Sequence, residues 1–132
     1  MSITPPNPPA AAQFAAAEIL IPPPSPQFPI PYIYVSNRNT GTLDPRGDTI
    51  AIFEHVNKDE SNEGLELIQQ VYLDLDQIRG MEFGPEPCEF LAASGVQGSA
   101  GVIILRRTDQ GRNLEIVARN LDVPTRTSFV WL

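Results

Sequence analysis

Tyr32-Ile33-Tyr34-Val35-Ser36-Asn37-Arg38, followed after a loop by Gly47-Asp48-Thr49-Ile50-Ala51-Ile52-Phe53-Glu54, is the stretch on which the fold turns. Both runs are aromatic and β-branched, and such side chains favour extended backbone because they pack well on a pleated surface. Gly41, Pro45 and Gly47 mark the intervening segment as a loop. Beyond the polar turn Asn57–Gly64, the run Leu65-Glu66-Leu67-Ile68-Gln69-Gln70-Val71 alternates apolar and polar residues and reads as a third strand. Arg79-Gly80-Met81-Glu82-Phe83-Gly84 reads as a short fourth, closed by Pro85 and Pro87.

The same order then recurs. Glu89 to Gly95 echoes Tyr32 to Asn37, with Ser94 in the place of Ser36. Gly101 to Arg106 echoes Thr49 to Glu54, and Leu114 to Ala118 echoes Leu65 to Gln69. Ser128-Phe129-Val130-Trp131-Leu132 reads as a last short strand. Strands recurring at roughly 40–55 residues are the signature of a radially repeated sheet. Ile50 to Phe53 and Val102 to Leu105 are nearly continuous in apolar residues, as expected of strands covered on both faces. A two-layer sandwich would account for the strand count and turns but not for the ordered recurrence.

The ends differ in composition. Of 14 prolines, ten fall between Pro5 and Pro31. Residues 1–16 read as a disordered Pro/Ala-rich segment with little to bury, and 17–132 as the folded part. Phe14 to Ile21 carries mixed signals, its alanines favouring helix and Glu18-Ile19-Leu20-Ile21 favouring strand. Ser25 to Pro31 reads as an extended lead-in.

Sixteen acidic against nine basic residues give a net charge of −7, which argues against nucleic acid because its phosphates demand a cationic face. No Lys/Arg run suggests an anionic membrane surface, and no stretch approaches the ~20 apolar residues of a membrane helix. One cysteine, Cys88, and one histidine, His55, exclude an internal disulfide and a zinc site of the usual kind. Met1 to Pro9 lacks the basic start and apolar run of a signal peptide, so a soluble, cytoplasmic protein without metal or cofactor is expected.

The Tyr32 to Arg38 run, with Gly47-Asp48-Thr49-Ile50-Ala51-Ile52-Phe53 after it, resembles the blade signature of the lactonase-type seven-bladed β-propellers. That family includes bacterial 6-phosphogluconolactonases and fungal carboxy-cis,cis-muconate cyclases. Ala17-Glu18-Ile19-Leu20-Ile21-Pro22-Pro23, Arg79 to Gly84 and the Trp131-Leu132 ending resemble the fungal branch more closely. The resemblance covers Ala17 to Leu132 and matches only the family's last blades. It implies an all-β partial propeller of about two four-stranded antiparallel blades, the C-terminal piece of a longer enzyme. The activity implied is cofactor-independent lactone formation from carboxymuconate, or a related lactonase reaction, with a small carboxylate or lactone as substrate. The alternative is a non-catalytic propeller fragment or binding module from a truncated gene product.

In the family, the Arg of the Ser-Asn-Arg run faces the central cavity. The resemblance therefore gives Arg38 a catalytic and substrate-binding role, holding a carboxylate through paired hydrogen bonds or stabilising charge on the closing lactone. The competing reading pairs Arg38 with Asp44 or Asp48 at the loop rim. Asn37 is expected to orient Arg38 or touch substrate, unless it merely serves a strand end. Cycloisomerisation adds a carboxylate oxygen across a C=C bond and then protonates the adjacent carbon, so it also needs a general acid. The resemblance places the family's acid/base groups in earlier blades, and this chain alone is expected to be inactive.

His55 reads as a surface or packing residue, and Cys88 as a small buried apolar one. Asp59, Glu60 and Glu63 read as a solvated turn, Asp74 and Asp76 as a polar loop, and Arg106-Arg107 as solvent-facing. Two blades alone leave apolar faces uncovered, which invites self-association.

Overall fold

The computed structural model describes residues 2–97, 101–123 and 128–132. Its strands are β1 (Phe14–Leu20), β2 (Ile33–Asn39), β3 (Thr49–Val56), β4 (Gly64–Tyr72), β5 (Asp76–Phe83), β6 (Phe90–Gln97), β7 (Gly101–Thr108) and β8 (Asn113–Asn120). One 3₁₀ turn, Asp109–Gly111, joins β7 to β8. The fold is all-β, with two four-stranded antiparallel sheets in simple sequential order, β1-β2-β3-β4 and β5-β6-β7-β8. No helix among the described residues is long and apolar enough to cross a membrane.

The phase of the repeat is shifted by one strand from the sequence-based expectation. Arg79 to Gly84, expected to finish the first unit, lies largely in β5 and opens the second. The first sheet takes its fourth strand from the ambiguous Phe14 segment, which pairs along β2 from Phe14↔Asn39 to Leu20↔Tyr34. That pairing selects strand over helix, because it satisfies the backbone groups that β2 would otherwise leave at an open edge. Strand structure thus begins at Phe14, inside the stretch 1–16 expected to lack it; Met1, 98–100 and 124–127 lie outside the described residues. Ser128–Leu132 is not the expected strand. It has no regular structure, and the Trp131 indole donates from Nε1 to the Glu82 carbonyl at 3.2 Å.

The second sheet reproduces the first in register. Ser36 opposes Ile50 as Ser94 opposes Val102, and Phe53 opposes Leu67 as Leu105 opposes Ile116. The irregularities recur too. The bulge between Ile52 and Phe53 returns between Ile104 and Leu105, and that between Ala16 and Ile19 returns between Ile78 and Gly80. Bulges bend and twist a strand at a defined point, so their recurrence means that both sheets share one curvature.

The sheets stack front to back. One core joins Tyr34, Ile50 and Ile52 of the first sheet to Ala93, Ile103 and Leu105 of the second. By the register above, Ala93, Ile103 and Leu105 correspond to Val35, Ala51 and Phe53, which lie on the opposite face of the first sheet. Unlike faces therefore meet, whereas a sandwich related by a two-fold axis would bring like faces together. β5 packs on β1 and β2, while the outer strands β4 and β8 barely meet, so the sheets diverge outward. Most of these core side chains are fully buried, each worth about 1.5–3 kcal/mol in removal from water.

Each outward face is covered by a segment outside the eight strands. Ile3 packs on the Val35, Ala51 and Phe53 face. Phe129, Val130 and Trp131 lie over Ala92, Val102 and Ile104 across a cavity of about 170 Å³.

The joint between the sheets is tight. Gly47 has φ +77°, and a Cβ there would sit 2.6 Å from Leu75 N and 2.7 Å from Asp74 Cα, so the connector can cross only over a glycine. Leu73 N donates to Asp48 O and Asp48 N to Leu75 O, and both leucines are fully buried.

Candidate functional site

Arg38 and Asn37 are neighbours in β2, and strand alternation sends their side chains to opposite faces. Arg38 shares its face with Tyr34 and Ser36, whose Oγ donates to the Ile78 carbonyl of β5 at 3.2 Å. Arg38 thus lies where β1, β2 and β5 converge, with Ala15 of β1 as its cross-strand partner. Its side chain is half-buried, and Nε is shielded from solvent without a hydrogen-bond partner among the described residues. The rim carboxylates are engaged elsewhere. Asp44 holds Arg46 at 2.7 Å, which keeps its carboxyl below the ordinary value.

Asn37 is fully buried on the other face, where Nδ2 donates to the Ile3 carbonyl and to Thr49 Oγ1. It belongs with Gln70 Nε2, which donates to the same carbonyl at 2.9 Å, and not with Arg38. The two residues expected to share a site are therefore separated by the thickness of the sheet.

Asp48 is the structural carboxylate at the Arg38 end. Its Oδ2 accepts from the backbone N–H groups of Asn39 and Gln77, each at 2.8 Å, and so ties the end of β2 to β5. Burial pushes its carboxyl above the ordinary value; the two N–H bonds oppose this, and nearby Asp76 and Asp44 add to it.

The opposite end of the inter-sheet layer holds a group that the sequence reading placed in solvent. Arg106 is exposed and pairs with Glu115 at 2.9 Å, but Arg107 is only 3% exposed. Among the described residues no carboxylate pairs with it. Nε donates to Tyr34 Oη at 3.0 Å, and the guanidinium lies 3.9 Å from the Phe28 ring centre. Phe28 is held there by the Pro-rich segment, through reciprocal backbone bonds between Ser25 and Phe28. Ring faces, a phenol oxygen and the Cys88 carbonyl, which accepts from Nη1 at 3.4 Å, thus replace a counter-ion, since aromatic quadrupoles attract a desolvated cation. Tyr34 Oη donates to Gly111 O at 2.6 Å, and burial pushes its phenol up to about 12 against the pull of Arg107. The missed signal was periodic: Ile103, Leu105 and Arg107 share one face of β7.

His55 sits near the end of β3 and meets Glu63 of the adjoining turn, with both groups partly exposed. Arg38 lies beside the start of β3, about 20 Å away at ~3.3 Å per residue, so His55 cannot deliver a proton beside it. Cys88 is a free, buried thiol that burial pushes up. Asp74 accepts from Arg119 at 2.9 Å. Among the described residues, no three His, Cys, Asp or Glu side chains gather as a metal site requires.

No family model, curated protein or solved structure matches the chain.

Proposed function

We propose that this chain is a non-catalytic pair of propeller blades of the lactonase type, in which Arg38 binds the carboxylate of a small acid or lactone at the inner edge of the sheets. The observation that carries the blade reading is the front-to-back stacking of two sheets with the same bulges, converging at β1, β2 and β5 and splaying at β4 and β8. Blades repeated around an external axis stack in this way. Arg38 supports the binding role because its cationic head is half-buried at the convergent edge and unclaimed by Asp44 or Asp48. A planar guanidinium can then grip a carboxylate in two-point fashion.

The lactone-forming reaction needs a second component, a general acid within hydrogen-bond reach of the carbon being protonated. The lone histidine is at the far end of its strand, and Asp48, the carboxyl at the Arg38 end, is held by the backbone N–H groups of Asn39 and Gln77, so the chain's own groups support binding more than turnover. The test is NMR titration with 3-carboxy-cis,cis-muconate and its lactone, beside an absorbance assay of muconate loss. Saturable shifts around Arg38, lost in Arg38→Ala, are expected without turnover. Absence of binding would reject the carboxylate role, and turnover abolished by Arg38→Ala would replace the binding reading with an enzymatic one.

A further inference from the structure

We infer that the outer face of the first sheet is a docking surface for the outer face of the second sheet of another copy of this chain, and that residues 2–7 plug it. The inference rests on the stacking used for the blade reading but not on any ligand at Arg38.

The interface inside the molecule is the template. There, Ala93, Ile103 and Leu105 receive Tyr34, Ile50 and Ile52 and are almost fully buried. Their counterparts Val35, Ala51 and Phe53 present the same side of an equivalent sheet, with matching register and bulges. The counterparts of the inserting side chains are Ala92, Val102 and Ile104. Val102 and Ile104 are only half-buried, whereas Ile50 and Ile52 are fully buried. The cavity beside Trp131 shows that this second face is covered loosely. Each molecule thus carries both halves of an interface it already makes once, arranged head to tail. Repeating such a contact builds a ring or a filament.

The plug is specific. Besides the Ile3 contact, four side chains donate to backbone carbonyls of the segment. Asn37 and Gln70 donate to Ile3 O, and Tyr72 Oη to Pro6 O at 3.3 Å. Arg46 Nη2 reaches Asn7 O at 3.1 Å while its guanidinium stacks on the Tyr72 ring at 4.2 Å. Pro5, within the segment, is itself buried. Being tethered, the segment acts at an effective concentration on the order of millimolar, so a second copy competes only when it is released.

The test is light-scattering mass over a concentration series up to about 100 μM, where contacts of micromolar affinity are populated. The intact chain is expected to be a monomer. Ile3→Asp should raise the mass at least about twofold, as closed or open head-to-tail contacts require. The double variant Asn37→Ala, Gln70→Ala, which leaves the apolar patch intact, should do the same if Ile3→Asp unfolds. Ile104→Lys added to either should return the mass to monomer, and the free peptide Ser-Ile-Thr-Pro-Pro-Asn-Pro-Pro added in excess should do so too. A folded, plug-weakened chain that stays monomeric would overturn the inference, as would association that persists with Ile104→Lys. Failure of carboxylate binding at Arg38 would leave both outcomes unchanged.

Discussion

Replacing Tyr34 by Phe removes one oxygen atom and tests how the inter-sheet layer tolerates a buried cation. The hydroxyl donates to Gly111 O at 2.6 Å and accepts from Arg107 Nε at 3.0 Å. Arg107 is 3% exposed and already has a buried Nη2 without a hydrogen-bond partner among the described residues. The substitution leaves a buried carbonyl and a second guanidinium N–H unsatisfied, at about 1–3 kcal/mol each. The edge-on contact between the Tyr34 and Phe83 rings, 5.1 Å between centres, survives in Phe. The net expectation is a loss of about 3 kcal/mol, which for this chain length lowers Tm by about 10 °C. Urea unfolding at pH 7 reads the loss, and it should appear as a shifted midpoint at constant slope.

The same variant has an alkaline signature. The folded Tyr34 pKa, about 12, lies above its ordinary 10.0, so folding favours the protonated phenol. The corresponding stability is complete below pH 10 and is lost as pH rises from 10 to 12, about 3 kcal/mol in all. Tyr34→Phe has nothing to ionise there, so the gap between the two proteins should narrow across that window. A loss under about 0.5 kcal/mol at pH 7, or a gap independent of alkaline pH, would refute the account of a phenol-supported arginine.

The joint between the sheets supplies the other expectations. Gly47→Ala places a Cβ 2.6 Å from Leu75 N at a φ of +77°, and urea unfolding should show a loss of at least about 3 kcal/mol. Asp48→Asn keeps an acceptor for the Asn39 and Gln77 N–H groups and removes the charge. Because burial raises the Asp48 pKa, the wild type loses stability as pH climbs from the ordinary 3.8 through the folded value. The stability of Asp48→Asn relative to wild type should therefore grow with pH across that window in chemical unfolding, and a flat difference would reject a buried, ionisable Asp48.

Period-two patterning made β2, β3, β4, β6, β7 and β8 legible, because each carries enough branched or alternating residues to report one or two covered faces. Two features escaped it. The alanines of β1 carry little directional information, and only the unfilled edge of β2 decides their conformation. The sheet to which β5 belongs is a property of the connector and not of the strand, since Gly47 and Asp48 bend the chain over immediately before Asp76. The site was partly legible. Arg38 reaches the convergent edge, but adjacency in sequence suggested a partnership with Asn37 that strand alternation forbids. Arg107 was misplaced by its charge, although its position in β7 matches the buried face of Ile103 and Leu105.

The connector Leu73–Leu75 also governs how two molecules could become entangled. Three residues span about 10 Å at most, and both leucines are fully buried. Exchange of whole sheets between molecules requires a connector that can straighten into a hinge. Here straightening would extract two core side chains and break the Asp48 tie to Gln77, so crowded refolding should not yield dimers with traded halves. Association through the outer faces should therefore add intact molecules side by side.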